Sequence, residues 1–358
     1  MPNILLTCVG RRNYLAVYFR QALAGRGKVI GADMDITAPG LVDCDEQCLV
    51  PGVYSANYID LLLDLCKEKQ ISLLVSLNDL ELPVLAAAKT RFEKMGVTVV
   101  VSDSQIIDTC FDKLTTYQWL SARNIPAPPT YADLHAALAA ANGGKLDFPC
   151  IVKPRWGSGS IGIFMVHDVE EMKAAHALVM SQVTRGMLST ASRADLQHSV
   201  LIQARCDGDE YGCDILNDFT GNTRAVVTKQ KLAMRAGETD KAVVRNNAKL
   251  TEFCQSLGQQ LGHVGNLDCD IFVDGDNFQV LELNPRFGGG YPFSHVAGAT
   301  FPHALLAWSV GEQYDPRSEY LVYDEPYSKF DTLGRVGKFP EEPSVAGSQE
   351  IHGSRSGD

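Results

Sequence analysis

The chain has 358 residues, 45% hydrophobic and 21% charged, the composition of an ordinary soluble globular protein with material for two or three domain-sized cores. Its net charge of −11 and pI of about 5.2 disfavour nonspecific nucleic-acid binding, and no apolar run approaches the roughly 18 residues that span a bilayer. The first residues, MPNILLTCVGRR, set the apolar run ahead of the arginines, the reverse of a signal peptide, so the expectation is a cytoplasmic protein with neither a nucleic-acid nor a membrane partner.

Over the first hundred residues short apolar runs at 3–9, 28–32, 72–77 and 97–102 alternate with helical periodicity at 13–24, 56–69 and 79–95. That order predicts a parallel sheet with helices on its faces, whose ligand-facing groups gather at the carboxyl ends of the strands. Those ends carry Gly10, Arg11 and Arg12, then Asp33 and Asp35, then Asn78, Asp79 and Glu81. Near residue 110 the pattern changes. An amphipathic helix over 111–125 ends at Pro126, Pro128 and Pro129, and Lys113 near its start opposes the helix dipole, which an anion would offset. Strand 148–156 leads into glycine-rich SGSIG and then strand 163–168, followed by a helix over 169–183 and strands at 199–204, 211–216 and 223–232. A helix over 247–262 precedes the last strand pair, 266–284, and 311–339 reads as a short strand-containing segment. Residues 341–358, rich in Ser, Gly and Glu, read as disordered.

Two segments carry chemistry. In LELNPRFGGG (281–290) Glu282, Asn284 and Arg286 alternate on one face of a strand, while Val280, Leu281 and Leu283 read as core. The partner strand carries Asp270, so Asp270, Glu282 and Asn284 are expected to meet on one sheet face, a donor set suited to a hard divalent cation with a guanidinium beside it for phosphate. The second segment has Gly157, Gly159 and Gly162, with Lys153 on the strand entering the loop and Ser158 and Ser160 between the glycines. β-Branched and aromatic residues follow, so the loop joins two strands, unlike a dinucleotide site, in which a helix follows. No GxxxxGK[ST], HRD or DFG sequence occurs, which removes P-loop and protein-kinase readings. The first strand's turn, CVGRRN, lacks GxGxxG, against a nicotinamide-dependent oxidoreductase. Ten cysteines without a CxxC pair read as reduced core residues, and eight histidines without HxxxH spacing offer no zinc site.

Together these features resemble the ATP-grasp superfamily, in its carbamoyl-phosphate-synthase-like branch of carboxylate–amine ligases. The resemblance implies an α/β and α+β architecture: a Rossmann-like, pre-ATP-grasp parallel-sheet domain over 1–108 and a two-subdomain ATP-grasp fold over 109–310. The glycine-flap subdomain would span about 126–204, with a C-terminal segment at 311–340. It also implies ATP and Mg²⁺ as cofactors, with Mn²⁺ able to substitute, small-molecule carboxylate and amine substrates, and a homodimer. Lys113 and Lys153 match the phosphate-binding positions; Gly157, Ser158, Gly159, Ser160 and Gly162 match the flap. Gln203, Ala204 and Arg205 fall where the adenine edge is met, and Glu210 where the ribose hydroxyls are. Asp270, Glu282 and Asn284 match the metal ligands, Arg286 the phosphate-contacting arginine, and Arg235 a loop position near the γ-phosphate; Lys153, Arg235 and Arg286 would form the catalytic set. The chain departs from carbamoyl phosphate synthase in having one ATP-grasp unit, no visible glutaminase, and Phe287 followed by three glycines after the NPR motif. The expected reaction is ADP-forming ligation through an acyl phosphate; a phosphotransferase and a nonenzymatic nucleotide-binding module are the alternatives.

Overall fold

Alternation at period two decides the first sheet. In β1 (Asn3–Thr7), Ile4 and Leu6 face one way and Leu5 the other, all fully buried, so both faces need cover. The computed structural model describes residues 2–157, 162–185, 192–193, 195–316 and 320–336. In it β1 pairs in parallel with β2 (Val29–Asp33) and β4 (Ile71–Ser76), and β3 (Glu46–Leu49) and β5 (Thr98–Val100) complete a sheet of order β3-β2-β1-β4-β5. Helix α1 (Asn13–Leu23) lays Leu15, Ala16, Phe19, Ala22 and Leu23, a stripe at helical spacing, over the Ile4 and Leu6 face. Helices α2 (Tyr58–Glu68) and α3 (Leu82–Glu93) cover the Leu5 face through Leu62, Leu63, Leu85 and Phe92. β3 escapes the sequence reading because its side chains alternate between half-buried and exposed and it contains no apolar run.

The expected helix over 111–125 is two helices. Asp112 takes an extended conformation (φ −102°, ψ 107°) and caps the second, its carboxylate accepting from the backbone N–H of Leu114 at 2.9 Å and of Thr115 at 3.3 Å. Thus α4 (Ser104–Phe111) stops and α5 (Lys113–Ser121) starts afresh, with Lys113 at its first position. Next come β6 (Thr130–Tyr131), α6 (Leu134–Asn142), β7 (Cys150–Pro154), β8 (Phe164–Val166), α7 (Val169–Arg185) and β9 (Val200–Ala204). Their strands form a four-stranded antiparallel sheet of order β6-β9-β7-β8, so the glycine segment between β7 and β8 does join two paired strands. Ser158, Gly159 and Ser160 lie outside the described residues, as does the 341–358 tail.

The third sheet is antiparallel. Its strands are β10 (Asp209–Asn217), β11 (Thr223–Arg235), β12 (Glu238–Val244), β13 (Gly265–Asp274), β14 (Asn277–Asn284) and β15 (Pro326–Ser328), in the order β14-β13-β10-β11-β12-β15. Arg235, expected on a loop, is instead the last residue of β11 in the β11–β12 hairpin. Ala236 and Gly237, both at positive φ (50° and 77°), make its tight turn. One face of this sheet is dry: Tyr211, Cys213, Ile215, Cys269, Ile271, Val280 and Leu283 pack on α8 (Ala248–Leu261) through Leu250, Cys254, Leu257 and Leu261. The sequence reading passed over α9 (Tyr291–Val296) and α10 (Phe301–Ser309); α10 packs Phe301, Leu305 and Leu306 into the same core as Ile4 and Phe19. None of the described helices is long and apolar enough to cross a membrane.

Helix α8 approaches β10 closely at Gly258, where a Cβ would lie 2.6 Å from Ile215 Cγ2 and 2.8 Å from Thr223 Oγ1. Gly258→Val is therefore expected to force helix and sheet apart at a cost of about 1–3 kcal/mol. Urea unfolding checks this; an unchanged midpoint and slope would contradict the close packing.

Candidate active site

The second face of the antiparallel sheet is polar, and its register explains how. Asp270 pairs with Glu282 and Asp268 with Asn284 across β13–β14; Gly212 pairs with Asp270 and Asp214 with Asp268 across β10–β13; Gly212 pairs with Lys229 across β10–β11. Counting by twos, Glu210, Asp214, Lys229, Lys231, Asp268, Asp270, Glu282 and Asn284 share that face. Five carboxylates and two ammonium groups cannot be withdrawn from water unless they pair. Lys229 is fully buried, its Nζ 2.5 Å from the Asp214 carboxylate, which also accepts from Ser294 (2.5 Å) and Asn266 (3.0 Å). Lys231 Nζ lies 2.7 Å from both Glu210 and Asp270. Burial works to lower the Lys231 pKa, but Asp270 and Glu210 outweigh it and hold the group firmly protonated. Asp270 is pushed well above the usual carboxylate range by burial, with Asp268, Glu210 and Glu282 adding to the rise and Lys231 opposing it.

Leu281, expected in the core, is displaced from it. Asp270 pairs with Glu282 but Ile271 with Val280, so Leu281 is the extra residue of a β-bulge and faces the cleft, while Val280 and Leu283 remain buried.

The opposite wall comes from the four-stranded sheet and α5. Lys153 on β7 is 4% exposed, and its Nζ donates to Gln203 Oε1 at 2.7 Å, Gln203 in turn donating to Thr130 at 2.7 Å. Burial, reinforced by the neighbouring Lys113 charge, brings the Lys153 pKa down to about 8. Lys113 Nζ pairs with Glu282 at 3.0 Å and donates to the Gly157 carbonyl, joining the two walls. Asp112, the α5 cap, is gripped by Arg155 through bonds of 2.7 and 2.6 Å, which fixes the start of the helix that carries Lys113. Ala204 bonds through its backbone N–H to Pro129 O at 2.9 Å, and Arg205 is exposed, 3.6 Å from Asp207. Gly157 and Gly162 have φ of 106° and 72°, which side-chain-bearing residues adopt only under strain.

Between the walls is a cleft of about 560 Å³ lined by Lys113, Lys153, Gly157, Glu210, Lys229, Lys231, Asp268, Asp270, Glu282, Asn284 and Arg286, with Arg12 from the N-terminal sheet. Arg286 is buried and bound by two carboxylates, Asp268 at 2.9 Å and Asp79 at 2.8 Å. The three glycines after Phe287 are explained by side chains lying on their backbone rather than by open space. A Cβ would come within 2.1 Å of the Asp268 carboxylate at Gly288, 2.7 Å of the Glu238 carboxyl carbon at Gly289 and 2.9 Å of Lys229 Cε at Gly290. Arg235 stands apart from the cleft: exposed, it pairs with Asp240 and Asp331, each at 2.8 Å. Lys229, Lys231, Asp214 and Asp268 were missed as site residues, although the Lys-x-Lys and Asp-x-Asp spacings in TKQKL and LDCD mark one strand face each.

Among the described residues no cluster of three or more His, Cys, Asp or Glu is arranged to cage a metal. Two carboxylates and an amide, Asp270, Glu282 and Asn284, instead suit a hard cation whose remaining ligands are phosphate and water. Burial and the carboxylates of Asp268, Glu210 and Glu282 around Asp270 raise its pKa, and such a cation would offset both effects.

The family described as "ATP-grasp domain" matches residues 110–290, and that described as "PylC-like, N-terminal domain" matches residues 4–100. The arginine-specific carbamoyl phosphate synthase large chain of Geobacillus stearothermophilus is 24% identical over 202 residues, covering 54% of this chain and 18% of that one. The chain spans about a fifth of the length of the curated relatives it matches, 18% and 21%. Among solved structures, a biotin carboxylase–βγ-ATP complex from Campylobacter jejuni matches with a TM-score of 0.70 at 15% identity, over 90% of this chain and 74% of that one. An L-amino acid ligase from Bacillus licheniformis matches with a TM-score of 0.67 at 19% identity, over 90% of this chain and 78% of that one. These likenesses bear out the expected fold: a parallel-sheet unit followed by an ATP-grasp fold.

Removing the Asp214 carboxylate leaves the Lys229 ammonium buried and uncompensated. Asp214→Ala is expected to lower stability by about 3–5 kcal/mol, with much of it restored in the Asp214→Leu, Lys229→Met double variant. Denaturant unfolding of the three proteins measures this; a loss below about 1 kcal/mol in Asp214→Ala would contradict the pairing.

Proposed function

The chain belongs to the ATP-grasp family, and on that premise we propose that it is an ATP- and Mg²⁺-dependent ligase that joins a carboxylate to an amine and releases ADP and phosphate. The observation that carries this reading is the cleft itself: a metal-donor set of Asp270, Glu282 and Asn284 faces Lys113 and Lys153 on the opposite wall. Lys113 and Lys153 would take the nucleotide's inner phosphates. Glu210, now bound to Lys231, would accept from the ribose hydroxyls, with the adenine edge along Gln203–Arg205. Asp270, Glu282 and Asn284 would hold Mg²⁺, which when bound neutralises phosphate charge as a Lewis acid. Arg286 keeps an unpartnered Nε–H in addition to its two ion pairs, and that donor would meet the transferring phosphoryl group. In place of exposed Arg235, Lys231 would supply positive charge from β11.

In this reading a carboxylate oxygen attacks the γ-phosphorus of ATP, the bond to the β-phosphate oxygen breaks, and ADP leaves an acyl phosphate. The amine then attacks the acyl carbon, phosphate departs and the amine loses a proton. The protein's part is positioning and charge neutralisation, with no protein nucleophile. Residues 1–108 would form the unit that completes the acceptor side and 109–310 the nucleotide-binding unit.

Carboxylate labelled with ¹⁸O is expected to deliver one labelled oxygen to the released phosphate. Formation of AMP and pyrophosphate, or unlabelled phosphate during amide formation, would rule this course out. A pH dependence follows from Lys153. Phosphate raises the pKa of a lysine depressed to about 8, so nucleotide binding between pH 8 and 9 takes up protons and weakens as pH rises. MgADP titration calorimetry in buffers of different ionisation enthalpy measures that uptake. Lys153→Met is expected to abolish it; equal uptake in the variant would contradict the role.

A further inference from the structure

Six cationic side chains line the cleft: Arg12, Lys113, Lys153, Lys229, Lys231 and Arg286. Four are paired with carboxylates: Lys113 with Glu282, Lys229 with Asp214, Lys231 with Glu210 and Asp270, and Arg286 with Asp79 and Asp268. Among the described residues two have no carboxylate partner. Lys153 lies on the wall read as nucleotide-binding and bonds to the Gln203 amide. Arg12 projects from the far side, the N-terminal sheet, and bonds through Nη1 to the Leu77 carbonyl, while its Nε is buried without any partner. Among the described residues no hydrogen-bond partner takes its Nε–H or Nη2–H donors, the parallel pair that suits a two-point contact with a planar anion.

The loop that carries Arg12 is held from several sides. Gly10 N–H donates to Asp33 at 2.9 Å, Gly40 N–H donates to Gly10 O at 2.6 Å, and Arg12 N–H donates to Val9 O at 2.9 Å. Just behind it, fully buried Glu81 accepts from Thr7 (2.7 Å), Tyr58 (2.6 Å) and Ser76 (2.6 Å), tying β1 to β4. The same short segment holds both cleft arginines, Leu77 bonding Arg12 and Asp79 bonding Arg286. Two carboxylates of the cleft lining are engaged elsewhere: Glu238 with Lys329 at 3.4 Å, and Asp268 with Arg286.

We propose that Arg12 anchors a carboxylate that is not consumed in the reaction, so that one of the two substrates carries an ionised carboxylate besides its reacting group. This rests on the ligase reading of the cleft. A carboxylate locked edge-on to a guanidinium is stabilised in its ground state and is a poor nucleophile, whereas the reacting carboxylate has to approach the metal-ligand side at Glu282 and Asn284. Arg12 is thus a determinant of substrate selection, and the carboxylate it holds belongs either to a diacid or to an amine that also bears an acid.

The first test needs no turnover. In protein labelled with ¹⁵N-arginine, the Nε–H resonance missing from Arg12→Lys identifies Arg12, and sodium acetate is titrated against sodium chloride at equal ionic strength. Arg12 is expected to shift saturably with acetate alone; no shift, or the same shift with chloride, would overturn the proposal. The second test takes diacids, amino acids and their amide analogues through an ADP-release screen. Converting the anchored carboxylate to an amide is expected to cost wild type about 10²-fold or more in kcat/KM, chiefly through KM. Arg12→Gln is expected to show that loss for the acid and little further loss for the amide. The acid or the amine series responds according to which substrate is held, and an amide used as well as its acid would overturn the assignment. MgADP affinity of Arg12→Gln is expected to match wild type, which separates this role from folding. A protein that binds acetate at Arg12 yet turns over no acid–amine pair counts against the ligase reading and not against the anion site.

Discussion

Charge on one face of the antiparallel sheet is the constraint around which the molecule is built. Strand periodicity puts Glu210, Asp214, Asp268, Asp270 and Glu282 on the side opposite the α8 core, and burial makes each unpaired carboxylate costly. The pairing is divided by depth. Lys229 and Asp214 form a permanent pair, sealed off beneath α9 through Ser294. Lys231 and Lys113 hold Glu210, Asp270 and Glu282 from partly open positions, where a metal–nucleotide complex could take their place.

The other units are fastened to that face by ion pairs of the same kind. Arg286 reaches Asp79 at the carboxyl end of β4, so the N-terminal sheet is connected directly to the NPR segment. Arg155 and Asp112 set the start of α5, and through Lys113 they connect the four-stranded sheet to Glu282. The cleft is thus bounded by three sheets whose relative placement depends on charges also suited to phosphate chemistry. A substitution among those charges is expected to alter both domain placement and ligand affinity.

Much of this was legible in the sequence because strand alternation is a local signal. Glu282, Asn284 and Arg286 are spaced by two, and residues following the glycine loop have strand character, so the sheet pairings follow from short stretches. What escaped depends on partners distant in sequence. The bulge that turns Leu281 toward the cleft exists only in the pairing with β13, and β12 is a strand because β11 and β15 flank it. The purpose of Gly288, Gly289 and Gly290 lies in Asp268, Glu238 and Lys229, which touch them from other strands. Lys229 and Lys231 gain their role only from the register, which brings Asp214, Glu210 and Asp270 on neighbouring strands within reach of their ammonium groups.

The central claim is that Asp270, Glu282 and Asn284 form a metal site completed by nucleotide phosphate. Mn²⁺ binding followed by electron paramagnetic resonance, with and without ADP, tests it most directly. The account predicts tight Mn²⁺ binding only when ADP is present, weakened about 10-fold or more in a folded Glu282→Gln variant. Mn²⁺ binding that is indifferent to ADP, or equally tight in the variant, would contradict it.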